Sequence, residues 1–185
     1  MQPTPTAYKL GARLLHWSMA VLVLAMIPAG FLMTQPDIGR SLQNTLFVFH
    51  KNVGVLLLIL AALRLFYRWR NPPARLPDQV SGVQKLAAHL SHSALYALLV
   101  IMPVAGYVRV KAGGFPIETL DALGVPSLVT RSDALAETAK MVHYYGGIAI
   151  ALIIGLHIAA AAYHGVVRKD GVFSRMWPPF AGPTR

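Results

Sequence analysis

The chain has 185 residues, of which 55% are hydrophobic and only 13% charged, with a mean hydropathy of +0.51. Long apolar runs at that composition exclude an ordinary soluble domain and imply an integral membrane protein, here a single domain over residues 1–185. A formal charge of +10 would point a soluble protein towards nucleic acid, but these basic residues sit between apolar runs, so no nucleic-acid partner is expected; the absence of cysteine excludes disulfides and thiolate-held metals.

Met1 to Leu10 is polar and proline-containing, and is expected to fray or lie at the surface. The first span is predicted over 14–33. Lys9 and Arg13 precede it as they would a signal peptide, but the run is too long for an h-region and no A-x-A site closes it, which makes it an uncleaved span. Pro28 and Gly30 inside it are tolerated in membrane helices. Thr34 to Thr45 is a short polar connection with a turn at Gln35-Pro36-Asp37. A second span over 46–67 runs into Arg64, Arg68, Arg70, Arg75 and Asn71-Pro72-Pro73, and a third covers 86–108. Arg109 to Lys140 is the longest connection. Within it, Thr130 to Asp133 offers a capping box with Asp in place of Glu, which predicts a short surface helix from Ser132 into the fourth span at 141–165. The tail, Met176-Trp177-Pro178-Pro179-Phe180 beside Arg175, reads either as an interfacial anchor or as a disordered end.

Charge sets the expected orientation. The N-terminus, second connection and tail hold Lys9, Arg13, Arg64, Arg68, Arg70, Arg75, Lys85, Arg168, Lys169, Arg175 and Arg185 against Asp78 and Asp170. The first and third connections hold Arg40, Lys51, Arg109, Lys111, Arg131 and Lys140 against five acids. By the positive-inside rule the richer side is cytoplasmic. The predicted fold is therefore all-α, an integral membrane four-helix bundle, N-in and C-in.

The fourth span carries His143 and His157, fourteen residues apart. That spacing closes to within about 40° of four turns and separates the two by roughly 21 Å. Both imidazoles leave nearly the same face, one near each edge of the hydrocarbon. The expected topology gives His50 the depth of His143, and His16 the depth of His157. Each pair comes from two helices, as two axial imidazoles of a six-coordinate haem do. Gly54 and Gly147 lie four residues after His50 and His143, where a small residue admits a flat macrocycle. Gly30, fourteen after His16, would clear space for the outer group, and Arg64, fourteen after His50, could pair with an inner propionate. Taken singly, a membrane histidine commonly serves as an interhelical hydrogen-bond donor, small residues serve helix packing, and an arginine snorkels. His92 shares the depth of His16 and is the alternative ligand there. His92 and His164, with Lys9 or Arg13, could also hold a quinone head group at the inner edge, while His89 reads as interfacial polarity.

Arg13-Leu14-Leu15-His16-Trp17, His50-Lys51-Asn52-Val53-Gly54, Leu63-Arg64-Leu65 with the following Asn-Pro-Pro, Ala88-His89-Leu90-Ser91-His92, and Leu156-His157-Ile158-Ala159-Ala160-Ala161 with His164 together resemble the prokaryotic cytochrome b561 family over almost the whole chain. The resemblance implies a bacterial inner-membrane cytochrome with two haem b per chain, ligated by His16, His50, His143 and His157, that exchanges electrons with ubiquinone. One branch of that family oxidises superoxide at the periplasmic face, which would make the chain an oxidoreductase. Other branches are non-catalytic subunits that anchor a dehydrogenase or hydrogenase to the quinone pool. The expected partners are membrane lipid, quinone, and either superoxide or a redox protein at the outer face.

Overall fold

The structure is a computed structural model, and it describes residues 7–73 and 80–179. Arg75, Asp78, Phe180 and Arg185, used above in the charge count and the tail, lie outside these residues, as do residues 1–6 of the N-terminal stretch.

Among the described residues there are helices and no strands. Helix α1 is Leu10–Leu32, α2 is Arg40–Arg70, α3 is Gly82–Ala112, α4 is the short Glu118–Ala122, and α5 is Asp133–Ala162. The chain then passes through a π-helical turn, Tyr163–Arg168, and a 3₁₀ turn, Phe173–Arg175. Apart from α4, each of the numbered helices is long and apolar enough to cross a membrane.

All four of these helices begin before the apolar segments that predicted them, and α2 and α3 also end beyond theirs. At about 1.5 Å per residue even α1 exceeds the roughly 30 Å hydrocarbon core, and α2, α3 and α5 exceed it by several turns. Hydropathy locates the edge of the lipid, whereas a helix stops where its backbone finds other partners. Ser81 supplies such a start for α3. Its hydroxyl accepts from the Gln84 backbone while the Gln84 side chain accepts from the Ser81 N–H, a complete capping box. Helix α5 begins at Asp133 because Ser132 caps it, its hydroxyl accepting from Leu135 N–H. The box predicted from Thr130 is thus displaced by two residues, and the predicted surface helix is simply the first turns of the fourth span. Arg68 and Arg70 in the last turn of α2, and Arg109 and Lys111 in that of α3, oppose the negative ends of those helix dipoles.

Helices α1 and α2, α2 and α3, and α3 and α5 pack as neighbours. The buried centre is Met19, Val23 and Met26 of α1 against Leu57 and Ala61 of α2, with Leu99 of α3 and Ile154 of α5 closing on it. Large side chains such as Val21, Ile59, Leu152 and Leu156 point outward and are more than half exposed. An apolar belt of that extent would be strongly unfavourable against water but carries no such penalty against acyl chains.

Both ends of the described chain meet at one end of the bundle. Tyr8 N–H donates to the Arg175 carbonyl (3.0 Å), and the Trp17 indole N–H donates to the Met176 carbonyl (2.9 Å). Trp177 packs edge-on against Trp17 and stacks on Phe173. The tail through Pro179 is docked rather than trailing. We call this the terminal end, and the opposite one the loop end. At the loop end, residues 113–132 fold down around Ile117, which is 2% exposed, and Ser132 N–H closes the loop onto the Ala112 carbonyl.

Candidate metal centres at two depths

The loop end brings together His50 of α2 and His143 of α5. Their ring centroids are 6.0 Å apart and their planes are 76° to one another. His143 Nδ1 lies 2.9 Å from the Met102 carbonyl of α3. A carbonyl can only accept, so Nδ1 carries the proton and the Nε2 lone pair is left for a metal. His50 Nδ1 is buried with no hydrogen-bond partner among the described residues. Two glycines from neighbouring helices make room for these rings. A Cβ on Gly30 of α1 would stand 2.8 Å from His50 Cε1, and one on Gly106 of α3 would stand 3.2 Å from His143 Cε1. Gly30 therefore clears the ring of His50 itself. Gly54 and Gly147 face the methyl groups of Met26 and Met102 at 3.9 and 3.7 Å, ordinary contact distances.

The terminal end brings together three histidines. His16 and His157 have centroids 6.2 Å apart with planes at 73°, and His92 and His157 stand 5.4 Å apart. His92 is the exposed member of the three, whereas His16 and His157 are half-buried. Simple geometry separates the two candidate pairs. Imidazoles on opposite faces of one metal ion place their centroids about 6 Å apart, twice a metal–nitrogen bond of about 2 Å plus twice the roughly 1 Å from nitrogen to ring centre. His50 with His143 and His16 with His157 lie close to that separation, and His92 with His157 is shorter by less than 1 Å. Among the described residues no group of three or more His, Asp or Glu converges on one point as for a bare ion. Donors arriving in twos suit a planar cofactor that fills the metal's other four positions itself.

Arg64 lies on α2 at the terminal end. It donates to the Ala12 carbonyl of α1 (3.1 Å), and with Arg68 it sits over the Tyr96 ring of α3. Arg64, Arg68, Tyr67, Asn71 and Tyr96 line a surface cleft with Tyr8 and Met176, a cationic and aromatic opening between α1, α2, α3 and the tail. Lys9 donates to Asn71 at the rim of this cleft (2.7 Å), and Arg13 is 3% exposed. His164 is not in the cleft. It stands in the π-helical turn with Nδ1 2.6 Å from Asp170 Oδ2, and Asp170 Oδ1 accepts from Val172 N–H. Burial raises the Asp170 carboxyl, but the His164 and Val172 hydrogen bonds outweigh it and the group is held below the usual carboxylate range.

The loop end is electrostatically divided. Lys51 pairs with Glu118, Lys111 with Asp121 and Lys140 with Glu137. Asn52 donates to Glu118 and accepts from Thr119 N–H, so the start of α4 is strapped to α2 just past His50. Burial raises Glu118, and the Lys51 and Asn52 bonds more than reverse it, leaving a lowered carboxyl. Among the described residues Arg40, Arg109 and Arg131 make no ion pair, and Arg109 lies within electrostatic reach of both His50 and His143. Spacing along single helices gave no sign of Gly106, of α4, or of the Asp170 partner to His164, because each depends on how separate segments meet.

The prokaryotic cytochrome b561 family model matches residues 7–179. Among curated relatives, cytochrome b561 homolog 2 of Escherichia coli (strain K12) is 28% identical over 94% of this chain and 92% of its own length. A probable superoxide oxidase, CybB, of Yersinia pestis is 28% identical over 91% of this chain and 94% of its own. Cytochrome b561 homolog 1 of the same Escherichia coli strain is 25% identical over 89% and 93%. This chain belongs to the prokaryotic cytochrome b561 family, multi-pass membrane proteins that bind haem b and serve electron transfer.

Proposed function

We propose that this cytochrome b561 family member holds two haem b groups in one bacterial inner-membrane domain, and that it moves electrons from a periplasmic donor, superoxide, to ubiquinone. The observation that carries the reading is the doubled imidazole pair: two pairs with centroids near 6 Å, sharing α5, fourteen residues apart. In this reading His50 and His143 are the ligands at the loop end, His16 and His157 those at the terminal end. Haems held there would supply one-electron redox chemistry, and their α5 ligands His143 and His157 lie about 21 Å apart along the helix. The chain's own residues do the rest. Met102 fixes His143 with Nε2 free for metal, Gly30 and Gly106 seat the outer rings, and Arg64 offers a guanidinium to a propionate at the terminal end.

The terminal end is cytoplasmic in this scheme, because the basic connection and tail gather there. Alkaline phosphatase fused after Arg185 should then be inactive, and active when inserted near Gly124. Superoxide is an anion, and Arg109 and Arg131 give the loop end a local positive field even though half its cations are internally paired. The homologue named as a probable superoxide oxidase supports that donor. Quinone reduction takes two electrons and two protons, so two superoxide ions are oxidised to dioxygen per quinol formed. His164 and His92 at the terminal end would meet the quinone head group, with Lys9 and Arg13 close to the lipid edge. Rapid mixing of purified protein with superoxide and a short-chain ubiquinone is the test. Quinol formation at the expected two-to-one stoichiometry supports the reading, and haem reduction no faster than by adventitious donors overturns it.

One observation favours a second reading, in which the protein is a non-catalytic subunit anchoring a dehydrogenase. Phe115, Leu123 and Leu128 are all strongly exposed on the loop that covers the loop end. Copurification of a stoichiometric redox subunit from native membranes would favour it.

A further inference from the structure

We propose that Asp170 is a positioning residue for His164, holding its imidazole so that Nε2 serves as the proton donor to the quinone oxygen at the terminal end. The proposal rests on the quinone-reducing reading above.

The local fold is built to bring these two groups together. Six residues separate them, which on an α-helix places them about 240° apart, on different faces. Here the chain leaves α-geometry at Tyr163. The π-helical turn Tyr163–Arg168 widens the helix, Lys169 takes a left-handed conformation with φ 49°, and Gly171 follows at φ 83°. Single π-turns recur where a side chain must be re-aimed for function. The reversal returns Asp170 to His164 at 2.6 Å, with side-chain exposures of 7% and 13%. Phe173 packs the turn from behind. A Cβ on Gly165 would stand 3.0 Å from Phe173 Cγ, so the absence of a side chain at Gly165 lets the returning segment close.

Chemistry then assigns the roles. A carboxylate has no proton to give, so His164 Nδ1 carries the hydrogen and Asp170 accepts it. Val172 N–H occupies the second carboxylate oxygen, which fixes the carboxylate plane. Arg168 lies 4.0 Å from Asp170 and Tyr163 packs edge-on against the His164 ring. Such a carboxylate holds one tautomer and sets the ring's direction. Nε2 takes up a proton from the adjacent aqueous phase and passes it to a quinone oxygen as an electron arrives, which returns the ring to its Nδ1–H form. Over a full turnover two superoxide ions lose one electron each, and the quinone gains two electrons and two protons, one through His164 to the oxygen it meets and one from the aqueous phase to the far oxygen.

The test uses the haem-loaded protein in detergent, reduced beforehand, with two oxidants: a short-chain ubiquinone, which must take up protons, and ferricyanide, which takes only electrons. The readout is the ratio of the two reoxidation rates. Asp170→Asn is expected to lower that ratio about tenfold or more, Asp170→Glu to restore part of it, and Asp170→Ala added to His164→Ala to lower it no further than His164→Ala alone. Nitrogen-15 spectra of the histidine rings give an independent readout, the Nδ1–H form of His164 in the parent and a mixed tautomer in Asp170→Asn. An unchanged ratio with an unchanged tautomer overturns the proposal while leaving the quinone reading intact. Equal slowing with both oxidants also overturns it and assigns Asp170 a structural role. No quinone-linked reoxidation in the unsubstituted protein overturns the quinone reading and takes the proposal with it.

Discussion

The two ends of α5 each bring imidazoles from different helices together, in different surroundings. At the loop end, His143 is fixed by the Met102 carbonyl, His50 and His143 each lie against a glycine of a neighbouring helix, and the start of α4 is strapped to α2 just past His50. At the terminal end, His157 meets two other imidazoles, two arginines stand over Tyr96, and a cleft opens beside them. The loop-end site is closed and committed to one pair. The terminal-end site is open and richer in polar groups. A centre that only passes electrons needs rigid ligands and little else, whereas an end that also handles protons and a head group needs spare donors and access.

The comparison breaks most directly on haem content. His143→Ala and His157→Ala should each lower the pyridine haemochrome stoichiometry from two haems per chain to one, and the double variant should hold none. A chain that binds a single haem before substitution would dissolve the symmetry outright. The next largest effect separates the ligands at the open end. His16→Ala should lose the terminal-end haem, and His92→Ala should keep it, because the His16–His157 separation is the nearer to that of imidazoles on opposite faces of one metal. Retention of both haems in His16→Ala, with loss in His92→Ala, would reverse that assignment. Smaller again is the packing contrast within the closed end. Gly30→Ala puts a methyl 2.8 Å from His50 Cε1 and should destabilise the protein by about 1–3 kcal/mol, with a perturbed spectrum of the loop-end haem. Gly54→Ala meets only the Met26 methyl at 3.9 Å and should stay within about 0.5 kcal/mol. Thermal melts followed by haem absorbance measure both.

Much of this contrast was readable from residue spacing, and the reason is geometric. Membrane helices cross nearly antiparallel over a fixed thickness, so position along the chain converts to depth, and depth alone brought His50 to His143 and His16 to His157. Rotation about each helix axis is not encoded that way. Gly106 is a glycine like any other until α3 is turned to face His143. The choice between His16 and His92 likewise rested on separations across the bundle. The helices begin before the predicted spans for a different reason: apolar runs mark the lipid boundary, whereas capping by Ser81 and Ser132 lets α3 and α5 start outside it. The pairing of Asp170 with His164 is not legible in the sequence, because a pattern of period 3.6 cannot anticipate a π-turn and a left-handed residue.

The smallest expected effect concerns the strap over the closed end. Glu118 joins Lys51 and Asn52 of α2, and its carboxyl is partly exposed, so the ion pair itself contributes no more than about 0.2–1 kcal/mol. Glu118→Gln should therefore lower the melting temperature only slightly, and added salt should shrink the difference further. The sign with pH follows from the lowered carboxyl. A group bound more acidic in the folded state stabilises it fully above the ordinary glutamate value of 4.5, and that stabilisation is lost as pH falls below it. The parent and Glu118→Gln should then differ at neutral pH and converge in acid. If the strap matters to the closed character of this end, ascorbate should reduce the loop-end haem faster in Glu118→Gln at neutral pH, with the terminal-end haem spectrum unchanged. Equal reduction rates in the two proteins would mean that the closure comes from Ile117 and the loop backbone, and that the ion pair only decorates it.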